Sequence, residues 1–516
     1  MVGCTRRPRK RAEVRFAEPP WDERSDEWQV RDQQLPADHL AREVVEAMKQ
    51  LALTPLFALY LGAGLPPIRP DLMLAIVLIE IRLGRPRPSQ WFRDARENMV
   101  LQWAGFGIRP SRTSWYNFAD RVARLLDGWN AEVLHLARQR DVTKAARMSL
   151  DGTSVAANAS RHRLVNEATV EQRLMELESA CQADAVDQSP PSEPAWMAKN
   201  PDTREAQRRR YRRARGRLIE LHAVNNRQDP KRRRKPEKIV VSASDPEAAL
   251  GRDKHNVFRP LYNVQLVRDL DSQLCLSYQV FAQPTDAGTL GPMLERVANG
   301  TGVKPQVMLV DAGYVTACNL AICDQAGIAL YGPWQENDFS QKKKKQGTKP
   351  RPIGKEHFTW VPEQNRYRCP EGHPMPWIGH QKRRQSDGQI NVVHSYRCSP
   401  QHCRTCPRQV ACSTNPNRGR AVKRSEHEAL VEAHRTRMAT AEAKSLYRLR
   451  GQTVELGFAD FKQHRSMRQF SGRGRCRAQR QVALTVLVHN LLVVHRAIPP
   501  PQNSLDAVLT AEEIST

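Results

Sequence analysis

Near residue 147 the chain stops reading as helix and begins to read as sheet, and the order of elements that follows restricts the fold more than any other feature. Strands are predicted at Met148–Asp151, Lys238–Ser242, Leu261–Val267, Leu274–Phe281, Gln306–Val310 and Ile328–Tyr331, from their β-branched and aromatic residues and their Asp, Gly and Pro boundaries. A helix carrying Leu290, Met293, Leu294 and Val297 falls between two of them, and another runs from about Val315 to Ala326. Strands followed by helix, strand, helix, strand describe a mixed α/β sheet.

The surroundings of that core divide the chain. Residues 1–35 are polar and rich in Pro and Arg, and read as a basic flexible arm. Residues 36–146 read as an all-α N-terminal domain: Leu40, Val44, Val45, Met48 and Leu51 recur at helical spacing, as do Phe118, Val122, Leu125 and Leu126. The core then covers 147–333 and is interrupted at 160–237 by a polar, Arg-rich, helical-looking stretch. That stretch is either a solvated excursion or an arm along a DNA backbone. Residues 334–424 form a second interruption, a lysine linker followed by crowded cysteines. Residues 425–496 return to helix, with a glycine-arginine loop at Ser471–Arg477 and an apolar helix from Ala478 to His495, and 497–516 read as a flexible tail.

Charge indicates the partner. Against 55 Asp and Glu stand 81 Lys and Arg, a formal net charge of +26 over 516 residues. The surplus is clustered at Arg208–Arg213, Lys231–Lys235, Lys342–Lys345 and Arg473–Arg477. Clustered cations suit a polyanion, because each one that meets a phosphate releases condensed counterions. Nucleic acid is the expected partner, and Arg473 and Arg475 are candidate DNA contacts. The longest apolar run, Leu72–Ile81, contains Glu80 and is too short to span a bilayer, so no membrane partner is expected. The charged start, with Arg6, Arg7, Arg9, Lys10 and Arg11, has no apolar stretch behind it, so a cytoplasmic protein is expected.

Two aspartates are predicted at strand ends beside glycine turns: Asp151 before Gly152, and Asp311 before Ala312-Gly313-Tyr314. Alone, each would more often be a helix cap or turn residue. Two on neighbouring strands of a very basic protein fit Mg²⁺, which takes one or two carboxylates plus substrate phosphates. Phosphodiester chemistry with two ions about 4 Å apart calls for a third carboxylate, and Glu455 is the candidate. On a regular helix Arg448, Glu455 and Lys462 lie seven apart and share a face, placing a cation two turns either side of the acid, so Arg448 and Lys462 are candidate contacts to a bound DNA backbone. Gly451 and Gly457 suggest close approach there. Asp286, in Pro284-Thr285-Asp286, reads first as a helix cap.

Five of the eleven cysteines crowd into one segment: Cys369, Cys398, Cys403, Cys406 and Cys412. Cys403-x2-Cys406 is a knuckle spacing, and Cys369-Pro370-Glu371-Gly372-His373 supplies a distant arm. A structural Zn²⁺ held by Cys369, Cys403, Cys406 and Cys412, with Cys398 or His373 as substitutes, would close a small zinc-ribbon-like module that has little core of its own.

Several motifs occur in a fixed order: Ser149-Leu150-Asp151-Gly152-Thr153, Leu261-Tyr262-Asn263-Val264-Gln265, Val310-Asp311-Ala312-Gly313-Tyr314, Val454-Glu455 to Lys462, and His489-Asn490-Leu491. Together they resemble the bacterial insertion-sequence DDE transposases, in the group with a Cys-rich insertion before the catalytic glutamate. Phe92-Arg93-Asp94 and Leu101-Gln102-Trp103 are similar to that family's N-terminal domain. The resemblance implies a ribonuclease H-like core in which Asp151, Asp311 and Glu455 hold two Mg²⁺ ions. It also implies cleavage at transposon ends, attack of the freed 3′-hydroxyl on target DNA, and Lys462 lying against terminal nucleotides. The related signature Tyr-x2-Arg-x3-Glu-x6-Lys is matched by Tyr447, Arg450, Glu455 and Lys462 with one extra residue before the glutamate. Holding two ends together implies a homodimer or larger synapse. The competing expectations are a non-catalytic zinc-containing DNA-binding protein and a nuclease that cuts without joining.

Overall fold

In the computed structural model the described residues are 14–60, 65–253, 255–335, 353–384, 388–413 and 415–497. The first 13 residues of the N-terminal arm, Lys342–Lys345 and nearly all of the tail fall outside them. The sheet is organised around β1 (Arg147–Ala156), which continues five residues past the predicted end at Asp151. Gly152 is therefore a mid-strand residue paired with Gln265, and no turn forms there.

After β1, two-residue strands β2 (Leu164–Val165) and β3 (Val241–Ser242) pair only with each other, so the predicted strand at 238–242 lies off the main sheet. Next come β4 (Ala249–Arg252), β5 (Phe258–Asp269), β6 (Cys275–Phe281), β7 (Val307–Leu309) and β8 (Ala329–Tyr331). β5 runs antiparallel to β1 and carries β4 and β6 on its other side; β7 is parallel to β1 and β8 parallel to β7. The parallel steps need crossovers, and helices Leu290–Thr301 and Ala317–Gln325 provide them.

The sheet and the N-terminal helices share one continuous apolar core. Helix Pro70–Arg82 is apolar on every side and buried from Leu72 to Ile81, so it forms the centre of the helical part. The last helix, Arg475–Ala497, packs at once on β6 and on helices Leu40–Met48, Pro70–Arg82 and Leu126–Gln139. Asn490 ties this helix to the sheet edge: its side chain accepts from Cys275 N (2.9 Å) and donates to Cys275 O (2.8 Å), as a neighbouring strand would. Part of the predicted flexible arm is also ordered. Asp26–Gln34 is helical, with Trp28 stacked on Phe106 and donating to Trp103 O. No described helix is long and apolar enough to cross a membrane.

The described parts of both interruptions are folded. Helices Glu167–Ala185 and Pro201–Asn226 form a hairpin with its own core of Val170, Leu174, Leu177, Tyr211, Ala214 and Leu218. Many of its arginines face acids of the same hairpin, including Arg212 with Glu178 and the buried Arg204 with Asp184 and Glu193. The second interruption forms an antiparallel sheet of β9 (Thr359–Val361), β10 (Arg366–Arg368), β11 (Pro374–Arg384), β12 (Ile390–Arg397) and β13 (Ala421–Ser425), in the order β13-β12-β11-β10-β9.

Candidate active site

Asp151 stands on the central strand, Asp311 on the turn that follows β7, and Glu455 in the helical stretch after the second insertion. Asp151 and Glu455 meet at one guanidinium. Arg450 Nη2 lies 2.8 Å from Asp151 Oδ2, and its Nη1 lies 2.7 Å from Glu455 Oε1. Asp311 adds to the field at both Asp151 and Arg450.

The extra residue before Glu455 has a structural counterpart. The stretch from Glu426 to Lys462, whose pattern reads as one long helix, forms Glu428–Ala439, Ala441–Arg450, a π-helical turn Gly451–Glu455, and Leu456–His464. A π turn accommodates one more residue than an α turn. It swings Glu455 onto the face of Arg450, so Arg448, expected beside the acid, is exposed and Arg450 takes its place. A Cβ on Gly451, which begins that turn, would meet Glu455 Oε2 in ordinary contact at 3.9 Å. Gly457 marks a close approach, since a Cβ there would lie 3.0 Å from Arg268 Nη1. Lys462 returns to β1: its Nζ donates to Thr153 Oγ1 and, at 3.3 Å, to Ser154 O.

Asp151 titrates abnormally for a physical reason. Burial pushes its carboxyl up to about 6 against the pull of Arg450 and the Gly152 N–H, and the charges of Asp311 and Asp286 push the same way. The nearby Tyr447 hydroxyl is also raised, chiefly by burial. Raised carboxyls among other acids mark sites prepared for a cation or a proton.

Asp286 does not cap a helix with its side chain. Its backbone carbonyl accepts from Thr289, while its Oδ1 accepts from Asn263 Nδ2 (2.8 Å) and Gln265 Nε2 (2.7 Å). Tyr314 OH donates to Gln265 Oε1 (2.5 Å), which completes a polar layer beneath Asp151. A Cβ on Gly152 would overlap Asp286 Oδ1 and Gln265 Nε2, so glycine is required there by close approach. Asn263, Gln265 and Tyr314 had no assigned role in the sequence. The available signal was two amides at alternate positions, hence on one face, of an otherwise apolar strand.

Arg473 donates to Asn158 O (3.3 Å), and Arg475 binds Glu247 through its backbone N–H (2.7 Å) while its side chain stays exposed. Cys369, Cys398, Cys403, Cys406 and Cys412 line one cavity of about 20 Å³ together with His373 and His402. That volume suits a single small occupant. Burial, then the neighbouring Cys403 and Cys369, push the Cys398 thiol up to about 12. Among the described residues, no three His, Cys, Asp or Glu side chains converge at metal-ligand geometry, at the cysteines or at the carboxylates. At both sites the donor chemistry fits a cation although the side chains are not drawn in on one.

Residues 368–495 match the family described as a transposase DDE domain, a stretch that includes all five cysteines, Glu455 and Lys462 and excludes Asp151 and Asp311. This match supports a DDE transposase. No curated protein matches the chain.

Proposed function

We propose that the protein is a transposase that cleaves the ends of a mobile DNA element and joins the freed 3′-hydroxyl to target DNA. The observation that carries this reading is the gathering of Asp151 and Glu455 on Arg450, with Asp311 beside them. The sheet supports a ribonuclease H-like core: β6, β5 and β1 form an antiparallel set, and β7 and β8 continue from β1 in parallel. Asp151, Asp311 and Glu455 would hold two Mg²⁺ ions. When bound, these would activate the attacking oxygen and stabilise the leaving one.

The protein's own groups do the rest. Arg450 neutralises two of the acids and must release them when the site is loaded. Lys462, anchored on Thr153 beside Asp151, is placed to meet a phosphate next to the scissile one. The polar layer of Asp286, Asn263 and Gln265 holds β1 in place beneath. The five cysteines would hold a structural Zn²⁺ that closes the insertion, and two DNA ends imply at least two copies of the chain. The test is incubation with Mg²⁺ and a plasmid carrying the element's ends. Strand breaks and joined products that vanish in Asp311→Asn are expected. Cleavage surviving that substitution would overturn the assignment, cutting without joining would indicate a nuclease, and binding without cutting a non-catalytic DNA-binding protein.

A further inference from the structure

A cleft of about 680 Å³ opens beside the Asp311 turn, between the core and the sheet of the second insertion. One wall is Ala312, Gly313 and the start of helix Ala317–Gln325, whose N-terminus favours negative charge. The facing wall carries Lys355, Arg383, Arg420, Lys423 and Arg435. Its acid, Glu428, is buried and paired with Lys355 at 2.5 Å.

Arg383 on β11 and Lys423 on β13 have no ion-pair partner among the described residues, and each is exposed. They are close enough that Arg383, after burial, disfavours the charged form of Lys423. Two like charges held together with no acid beside them among the described residues attract an anion from outside. The remaining cations are braced by contacts of their own: Arg435 lies over Trp334 (5.6 Å) and Arg420 over Phe358 (5.5 Å).

The size of the cleft selects the form of the anion. A volume of about 680 Å³ equals a cube roughly 9 Å on edge, too narrow for a duplex, whose major groove alone is ~12 Å wide. We propose that this cleft takes a single DNA strand, passing its phosphates between Arg383 and Lys423 as the strand leaves the Asp311 turn. The inference rests on the transposase reading and adds to it the insertion as the element that guides the unpaired strand beside the reacting phosphate.

The test measures binding, so its failure is separable from a failure of catalysis. Wild type and Arg383→Gln/Lys423→Gln are titrated by fluorescence anisotropy with a single-stranded oligonucleotide and with a blunt duplex, over a range of salt. Each lost phosphate contact on a single strand lowers the slope of log K against log salt by about 0.7, so the double variant should lose about 1.4. Between 50 and 200 mM salt its affinity should then fall roughly sevenfold less than that of wild type, as 4 raised to 1.4. Duplex binding should keep its slope, and Arg383→Lys/Lys423→Arg should restore the single-strand slope. The single variant Lys423→Gln, with half the effect, serves if the double variant fails to fold. An unchanged single-strand slope, or an equal loss on duplex, would overturn the proposal.

Discussion

Replacing Asp151 with asparagine should stabilise the protein, and should do so only above acid pH. The Asp151 carboxyl sits at about 6 in the folded chain against an ordinary value of 3.8. At 1.36 kcal/mol per unit, that displacement of 2.2 is worth about 3 kcal/mol. The attraction of Arg450 is already included in it, and the side chain is only 18% exposed, so solvent screens little of it. The sign follows from the direction. A carboxyl raised on folding favours the protonated form, so its contribution to stability is fully present below about 4 and is lost as pH rises through 6. Asp151→Asn keeps the neutral form at every pH. At pH 8 it should exceed wild type by roughly 3 kcal/mol, or about 6 °C in melting temperature at ~2 °C per kcal/mol. The difference should shrink from pH 7 downward and vanish near pH 4. Scanning fluorimetry across pH 4 to 8 measures both. Equal melting temperatures at pH 8, or a gap that widens toward acid, would refute the view that Asp151 is held in a site costly for its own charge.

Other outcomes follow from the same geometry. Mg²⁺ or Mn²⁺ at 100 times its Kd should stabilise wild type at pH 7 by about 2.7 kcal/mol, read as a melting shift that Asp311→Asn abolishes. The purified protein should contain one zinc by elemental analysis. Cys403→Ser or Cys406→Ser should lose it and expose the insertion, between Ile353 and Ser425, to proteolysis. Gly152→Ala should cost about 3 kcal/mol, because its methyl must displace the Asp286–Gln265 contact. In an Asp286→Ala background the same change should cost at least about 1 kcal/mol less, and additive losses in a double-mutant cycle would contradict the crowding.

Much of the core was legible because its signals are local. The apolar strand before Asp311, the helices from Leu290 and Ala317, and the crowding of five cysteines need no knowledge of distant residues. Asp151 was misplaced at a strand end because Gly152 reads as a turn when seen alone. Its reason for being glycine, the carboxylate of Asp286, lies 134 residues away. Arg448 was chosen over Arg450 because helical spacing assumes 3.6 residues per turn, and one π turn breaks that count. The Arg-rich hairpin read as bare positive charge because its neutralising acids, such as Glu178 and Asp184, belong to the partner helix. The insertion's sheet was hidden by its composition: β11 is mostly exposed and its second half, His380–Arg384, is wholly polar, with no sustained apolar alternation to announce a strand.

The central claim is that Asp151, Asp311 and Glu455 form one two-ion site now closed by Arg450. Diffraction from crystals grown with Mn²⁺ and a DNA end tests it most directly. Two anomalous peaks about 4 Å apart, contacted by all three carboxylates with the Arg450 guanidinium moved aside, are the expected result. Arg450 still paired to Asp151 and Glu455, with manganese absent or bound elsewhere, would contradict it.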